Sequence, residues 1–221
     1  MGDHPSYAVY ETLPLFFRSR GLAAVPPPPA SARKGLNADR SRFMLELDHF
    51  GYFRAEGETP EGRLVIVLLL ATRGKFSEHG PQLRQLLAGL SDEEAARRGR
   101  LAEVLVIAPD EVLAKKNLTD IVAEFRPAPG EGGVLHALYA YHVFSLDLPR
   151  AQCVPLHELV PPAEVEALLA RERLTERDLK TMPCSDPPLI WIGARPGQVV
   201  RTTSPSETAG ESIDYWLVIR G

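Results

Sequence analysis

The chain has 221 residues, 44% apolar and 24% charged, which is ordinary for a globular protein and enough for one large or two modest buried cores. Its net charge is -4, with 17 basic and 19 acidic residues up to residue 147 and 8 and 10 after it, so neither part has the basic surplus of a free-standing nucleic-acid clamp. Cys153 and Cys184 have no Cys or His partners at zinc-binding spacing and read as idle thiols in a reducing compartment, and the longest apolar run, 64–71, is too short for a membrane span.

The opening residues fit the myristoylation pattern at Gly2 with Ser6, a match short enough to arise by chance. Residues 7–20 carry Val9, Tyr10, Leu13, Phe16 and Phe17 at helical spacing, with Pro14 expected to kink or divide the helix and Gly21 to end it. The stretch "VPPPPASARKG" at 25–35 is a stiff polyproline-like loop with a basic tip, expected to be mobile. A helix is expected over 39–49 with Phe43, Met44 and Leu47 inward. Strands follow at 53–55 and 64–70 around the turn "EGETPEG", the second apolar throughout and therefore covered on both faces.

Residues 82–90 form an amphipathic helix, and Ser91 with Glu94 makes a capping box that opens another helix over 92–98. A central strand at 104–108 leads into a helix over 110–116, a turn at Asn117 and a helix over 120–125. The breaker "RPAPGEGG" then precedes a strand over 134–146. This alternation predicts an α/β domain over residues 1–147. Beyond "LPRAQ" at 148–152, a small α+β domain over 148–221 is expected to hold a helix at 164–173 and a short helix capped by Thr175 and running to Lys180. A break follows at Asp186-Pro187-Pro188. Strands at 198–203 and 213–219 are joined by "SPSETAG", whose Pro205, hydroxyls and Gly210 suit a turn of one shape.

Catalytic chemistry finds little support. Pro109-Asp110 after a central strand is where a Mg²⁺-dependent nuclease holds its first carboxylate, but such an enzyme also needs a lysine on the next strand, and the chain has none between Lys116 and Lys180. Asp110 reads instead as a helix N-cap. His136 and His142 share a face of the expected strand but have no third ligand nearby, and nucleophile-elbow and phosphate-loop motifs are absent. "AKKN" at 114–117 is a small basic spot.

The stretch from Cys153 to Ile219 resembles the C-terminal assembly domain of the fifth subunit of DNA-directed RNA polymerase, a family found in archaeal enzymes and shared by the three nuclear enzymes of eukaryotes. The motifs stand in the family's order: His157-Glu158-Leu159-Val160-Pro161, Arg173-Leu174 ahead of Leu179, Asp186-Pro187, Gly193, then Arg195-Pro196-Gly197-Gln198-Val199-Val200 and Ser206-Glu207-Thr208-Ala209-Gly210. Two departures stand out: Pro162-Ala163 replaces a second histidine, and Lys180 stands where cellular members often have proline. "SDPPLIWIGARPG", "LAKKNLTDIV" and "AYHVFSLDLPRAQCVPLHEL" look most like the copies carried by nucleocytoplasmic large DNA viruses of the African swine fever virus type, and a looser likeness reaches back through "GKFSEHGPQLRQLL".

The resemblance implies a non-catalytic subunit whose N-terminal nuclease-like jaw domain lies beside downstream double-stranded DNA and whose C-terminal domain docks on the largest subunit, among other core subunits. It implies no metal, cofactor or membrane contact of its own. The implied partner-binding residues are Asp186, Pro187, Arg195, Gly197, Ser206, Glu207 and Thr208, with Glu207 the polar anchor. Arg33, Lys34, Lys115 and Lys116 are the candidates for weak DNA contact. The expected setting is intracellular: the virion and host cytoplasm for a viral enzyme, the nucleus for a cellular one. A Mg²⁺-dependent nuclease and a free transcription regulator are the alternatives.

Overall fold

A computed structural model of the chain describes residues 5–24, 36–71, 80–96, 100–113, 116–127, 133–206 and 210–220. The Gly2 pattern and the proline-rich loop over 25–35 lie outside them. Two compact units are present, Met1–Ser145 and Leu146–Gly221.

In the first unit, helix α1 (Pro5–Ser19) leads to the two-residue strand β1 (Ala23–Ala24), helix α2 (Leu36–Phe50) and the hairpin of β2 (Tyr52–Glu58) and β3 (Leu64–Leu70). Helix α3 (Gly80–Ala96), strand β4 (Leu101–Ala108), short helices α4 (Asp110–Leu113) and α5 (Lys116–Glu124), and strand β5 (Leu135–Ala140) follow. The sheet order is β1-β2-β3-β4-β5, antiparallel on the β1-β2-β3 side and parallel from β3 to β5. All residues of β3 and β4 are buried, as their unbroken apolar runs require of strands covered on both faces.

Successive crossovers of one hand place their helices on one face. Leu83, Leu87 and Leu90 of α3 and Leu118, Ile121 and Val122 of α5 accordingly pack on Leu64, Ile66, Leu68 and Leu70. The other face meets α1 and α2. Phe53 stands opposite Leu69 in the register, and its ring contacts those of Tyr10 and Phe43, each at 5.2 Å between centroids. Glu103 of β4 lies on this face beside Val65 and pairs with Arg20 at 2.7 Å, both side chains 7% exposed.

Several local expectations need correction. Helix α1 continues through Pro14, whose exposed ring lies off the buried stripe of Val9, Leu13, Phe16 and Phe17, so the cost is confined to one missing N–H. The Ser91/Glu94 pattern opens no new helix, because α3 runs through it. Asn117 lies inside α5 rather than at a turn. Strand β5 ends at Ala140, and Tyr141–Phe144 coils into a 3₁₀ turn held by the Tyr141 hydroxyl, which donates to the Leu70 carbonyl. Strand β2 is longer than 53–55.

The second unit contains β6 (Leu156–Leu159), α6 (Pro162–Glu172), a 3₁₀ turn Glu176–Asp178, β7 (Lys180–Pro183), α7 (Pro187–Ile192), β8 (Val199–Ser206) and β9 (Gly210–Ile219). Its sheet order is β6-β8-β9-β7, with β7 and β9 parallel. Thr175 caps the 3₁₀ turn as expected, by a reciprocal bond with Asp178. The residues from Lys180 then extend as a strand. Asp186-Pro187-Pro188 starts helix α7 instead of breaking the chain, because proline suits the first helical position, where no N–H is needed. Helix α6 packs Val165 on Val160 and Val199 on one face, while α7 packs Leu189 on Val200 and Val218 on the other. The molecule thus has the expected α/β sheet unit followed by a small α+β unit.

Candidate functional site

Strands β8 and β9 pair antiparallel from Val199 opposite Leu217 to Ser206 opposite Gly210, with no slip. Ser204, Pro205 and Ser206, expected in the turn, therefore belong to β8, and only 207–209 remain between the strands. Glu207 and Thr208 lie outside the described residues, as do Arg33, Lys34 and Lys115. Lys116 opens α5, with its side chain also outside the description.

The other candidates fall into two groups. Asp186 caps α7, its carbonyl accepting from the N–H of Ile190 at 3.1 Å while its own N–H donates to the Pro183 carbonyl at 2.9 Å, and Pro187 follows at the first helical position. The Arg195 N–H donates to Gln198 Oε1 at 2.7 Å, and that of Gly197 donates to the Val218 carbonyl at 2.8 Å. Gly197 has φ +88°, yet a Cβ there would meet nothing within 4 Å, so backbone conformation rather than space calls for glycine. These four residues gather at the Val218 end of β9. Ser206 stands at the far end of β8, seven residues from Val199 or roughly 24 Å at about 3.4 Å per residue. One group therefore shapes the base of the sheet and the other its hairpin tip.

Register adds residues that the sequence reading missed. Arg201 reaches Glu158 across the strands at 2.9 Å and Glu164 of α6 at 3.3 Å, a tie of one cation with two carboxylates. On the opposite face, Lys180 bonds Asp214 at 2.6 Å and lies 5.2 Å from the Trp216 ring centroid, while the Trp216 indole donates to Thr202 Oγ1 at 2.9 Å. The alternation along β8 and β9 was visible in the sequence. The pairing that brings Glu158 to Arg201 was not.

The nuclease-like positions have other partners. Pro109 occupies the cap of α4, its carbonyl accepting from Val112 and Leu113, so Asp110 is not the N-cap and its carboxylate instead meets Nδ1 of His142 in the 3₁₀ turn. His136 and His142 do not share a strand face: His136 is buried in β5, where its Nδ1 donates to the Val134 carbonyl at 3.0 Å. Among the described residues, no three His, Cys, Asp or Glu side chains are grouped to hold a metal ion, and no helix is long and apolar enough to cross a membrane.

Comparison with known proteins supplies what geometry does not. Residues 146–218 match the family model described as RNA polymerase Rpb5, C-terminal domain, a span that begins where the second compact unit begins. A protein of African swine fever virus (isolate Pig/Kenya/KEN-50/1950), named DNA-directed RNA polymerase RPB5 homolog, is 34% identical over 172 residues, 78% of this chain and 81% of that protein. DNA-directed RNA polymerase subunit Rpo5 of Methanocaldococcus jannaschii is 46% identical over 67 residues, 30% of this chain and 86% of its own. The subunit RPABC1 of DNA-directed RNA polymerases I, II and III of Caenorhabditis briggsae is 38% identical over 74 residues, 34% of this chain and 35% of that protein.

Proposed function

Since this chain belongs to the RPB5 family of DNA-directed RNA polymerase subunits, we propose that it is a non-catalytic subunit of a multisubunit RNA polymerase. The observation that carries this reading is the 172-residue match to the African swine fever virus protein. It is longer than either compact unit, so the likeness takes in both and is not confined to a shared C-terminal module.

In this reading residues 148–221 form the assembly domain and dock on the largest subunit. Pre-ordered backbone at Asp186, Pro187, Arg195 and Gly197 lowers the entropy cost of association, and the tip at Ser206, Glu207 and Thr208 adds a second contact region. Residues 1–147 form a jaw beside downstream DNA. That contact is weak and depends on the assembled enzyme, because the domain is acidic overall and only Arg33, Lys34, Lys115 and Lys116 are candidates for phosphate contact. The subunit acts inside cells, in the virion and host cytoplasm if its enzyme is viral and in the nucleus if cellular. No observation favours the nuclease, since Asp110 is engaged by His142 and no lysine stands between Lys116 and Lys180.

The test is affinity purification of the tagged chain from its native system, beside Glu207→Arg, with mass spectrometry of what accompanies it. The two large polymerase subunits are expected in near-equal amounts with the wild type and in reduced amounts with Glu207→Arg. Recovery of the chain alone would sink the subunit reading.

A further inference from the structure

The face of the second sheet that carries α6 is only partly covered. Its first row, Val199 and Leu217, packs with Val160 against Val165 and Leu169 of the helix. Next come Glu158, Arg201 and Tyr215, then Leu156, Thr203 and Ile213 side by side, then Pro205 and Glu211. Leu156 is 52% exposed and Ile213 53%, large values for aliphatic side chains on a sheet. The other face is polar over the same stretch, with His157, Thr202 and Asp214 in one row and Ser204 and Ser212 in the next. Along these rows the open apolar surface therefore lies on the face that carries α6, while on the other face Leu159, 39% exposed, stands one row nearer the base opposite Val200. Around it stand Glu158, Glu164 and Glu211 against Arg201, which is bonded to the first two, so the rim keeps a surplus of two negative charges.

We propose that this row seats a segment of another polymerase subunit, with an aliphatic or aromatic side chain between Leu156 and Ile213 and a Lys or Arg against Glu211. Those two residues lie on strands two apart, roughly 10 Å, a gap that one such side chain spans. The acidic rim selects a cationic neighbour and repels an acidic segment. The inference rests on the subunit reading, which it deepens by naming the docking face and the chemistry of its occupant.

The experiment purifies the tagged full-length chain from its native system as wild type, as Leu156→Glu/Ile213→Glu, as Glu211→Lys, and as Ser212→Glu on the opposite face, with urea midpoints measured in parallel. Recovery of the large polymerase subunits should fall roughly tenfold for the double variant and about threefold for Glu211→Lys, as loss of a central anchor and of a rim charge predicts. Ser212→Glu should recover them like the wild type, and the urea midpoints should hold, since half-exposed positions bear little of the fold. Undiminished recovery with the double variant, or equal loss with Ser212→Glu, would overturn the inference while leaving the subunit reading intact. Should the double variant fail to fold, Glu211→Lys decides: full recovery overturns the proposal. Wild-type self-association that the double variant abolishes would make the occupant a second copy and overturn the choice of partner. A wild type that brings down no large subunit defeats the subunit reading and this inference together.

Discussion

Two buried ionisable residues of the first unit, Glu103 and His136, behave differently because Glu103 has an ionic partner and His136 has none among the described residues. Arg20 and Glu103 neutralise each other inside the sheet face, and Arg20 also lies 4.7 Å from the Phe16 ring centroid. His136 is only 3% exposed, its ring 5.6 Å from that of Phe125, and burial holds its pKa below the ordinary 6.5. The folded chain thus keeps His136 neutral where the unfolded chain takes a proton. This contribution to stability is complete above about pH 6.5 and is lost as pH falls from there towards the depressed folded value. Urea denaturation at about pH 7.5 and pH 5.5, on either side of the ordinary value, should show a smaller acid-induced loss for His136→Phe than for the wild type. Equal losses would assign the acid sensitivity to other groups.

Among the elements, α6 and α7 end in the same way with different residues. Gly193 closes α7 at φ +72°, with the Ala194 N–H returning to the Leu189 carbonyl at 3.0 Å, and Arg173 closes α6 at φ +55°, with the Leu174 N–H returning to Leu169 at 2.9 Å. A side chain is strained in that conformation, so Arg173→Gly should raise stability by about 0.5–1 kcal/mol, read as a higher urea midpoint. A lower midpoint would mean that the arginine side chain contributes more than its backbone costs. Element boundaries were legible where one local signal dominated: the unbroken apolar run of β3, the buried spacing of α1, the Thr175 cap. They were misread where a local signal competed with tertiary pairing. A capping pattern at Ser91 sits inside a helix whose leucines are already committed to the sheet, and the aromatic run after Ala140 coils so that Tyr141 can reach Leu70. Strand β7 has four residues and a proline, no periodicity to read, and exists because β9 lies beside it. For the same reason the motif residues were legible one by one, but their separation to opposite ends of the sheet was not.

At the scale of the molecule, two cores are kept apart along the chain. Trp191 is fully buried in the second unit, and truncating it to alanine should cost about 3–5 kcal/mol there. Hydrogen exchange of the Trp191→Ala variant is expected to show lost protection in β8 and β9 with little change in β3 and β4; equal loss in both would mean that the units unfold as one. Chain order within the second sheet sets a schedule for its synthesis. Strand β9 comes last of its four strands yet lies between β8 and β7. While a ribosome is still adding residues 210–219, β7 has no neighbour to bond, and Leu189 and Val200 wait without Val218, which completes their cluster. The first unit can close much earlier, so the nascent protein emerges with its mixed five-stranded sheet finished and its smaller unit held open until β9 arrives.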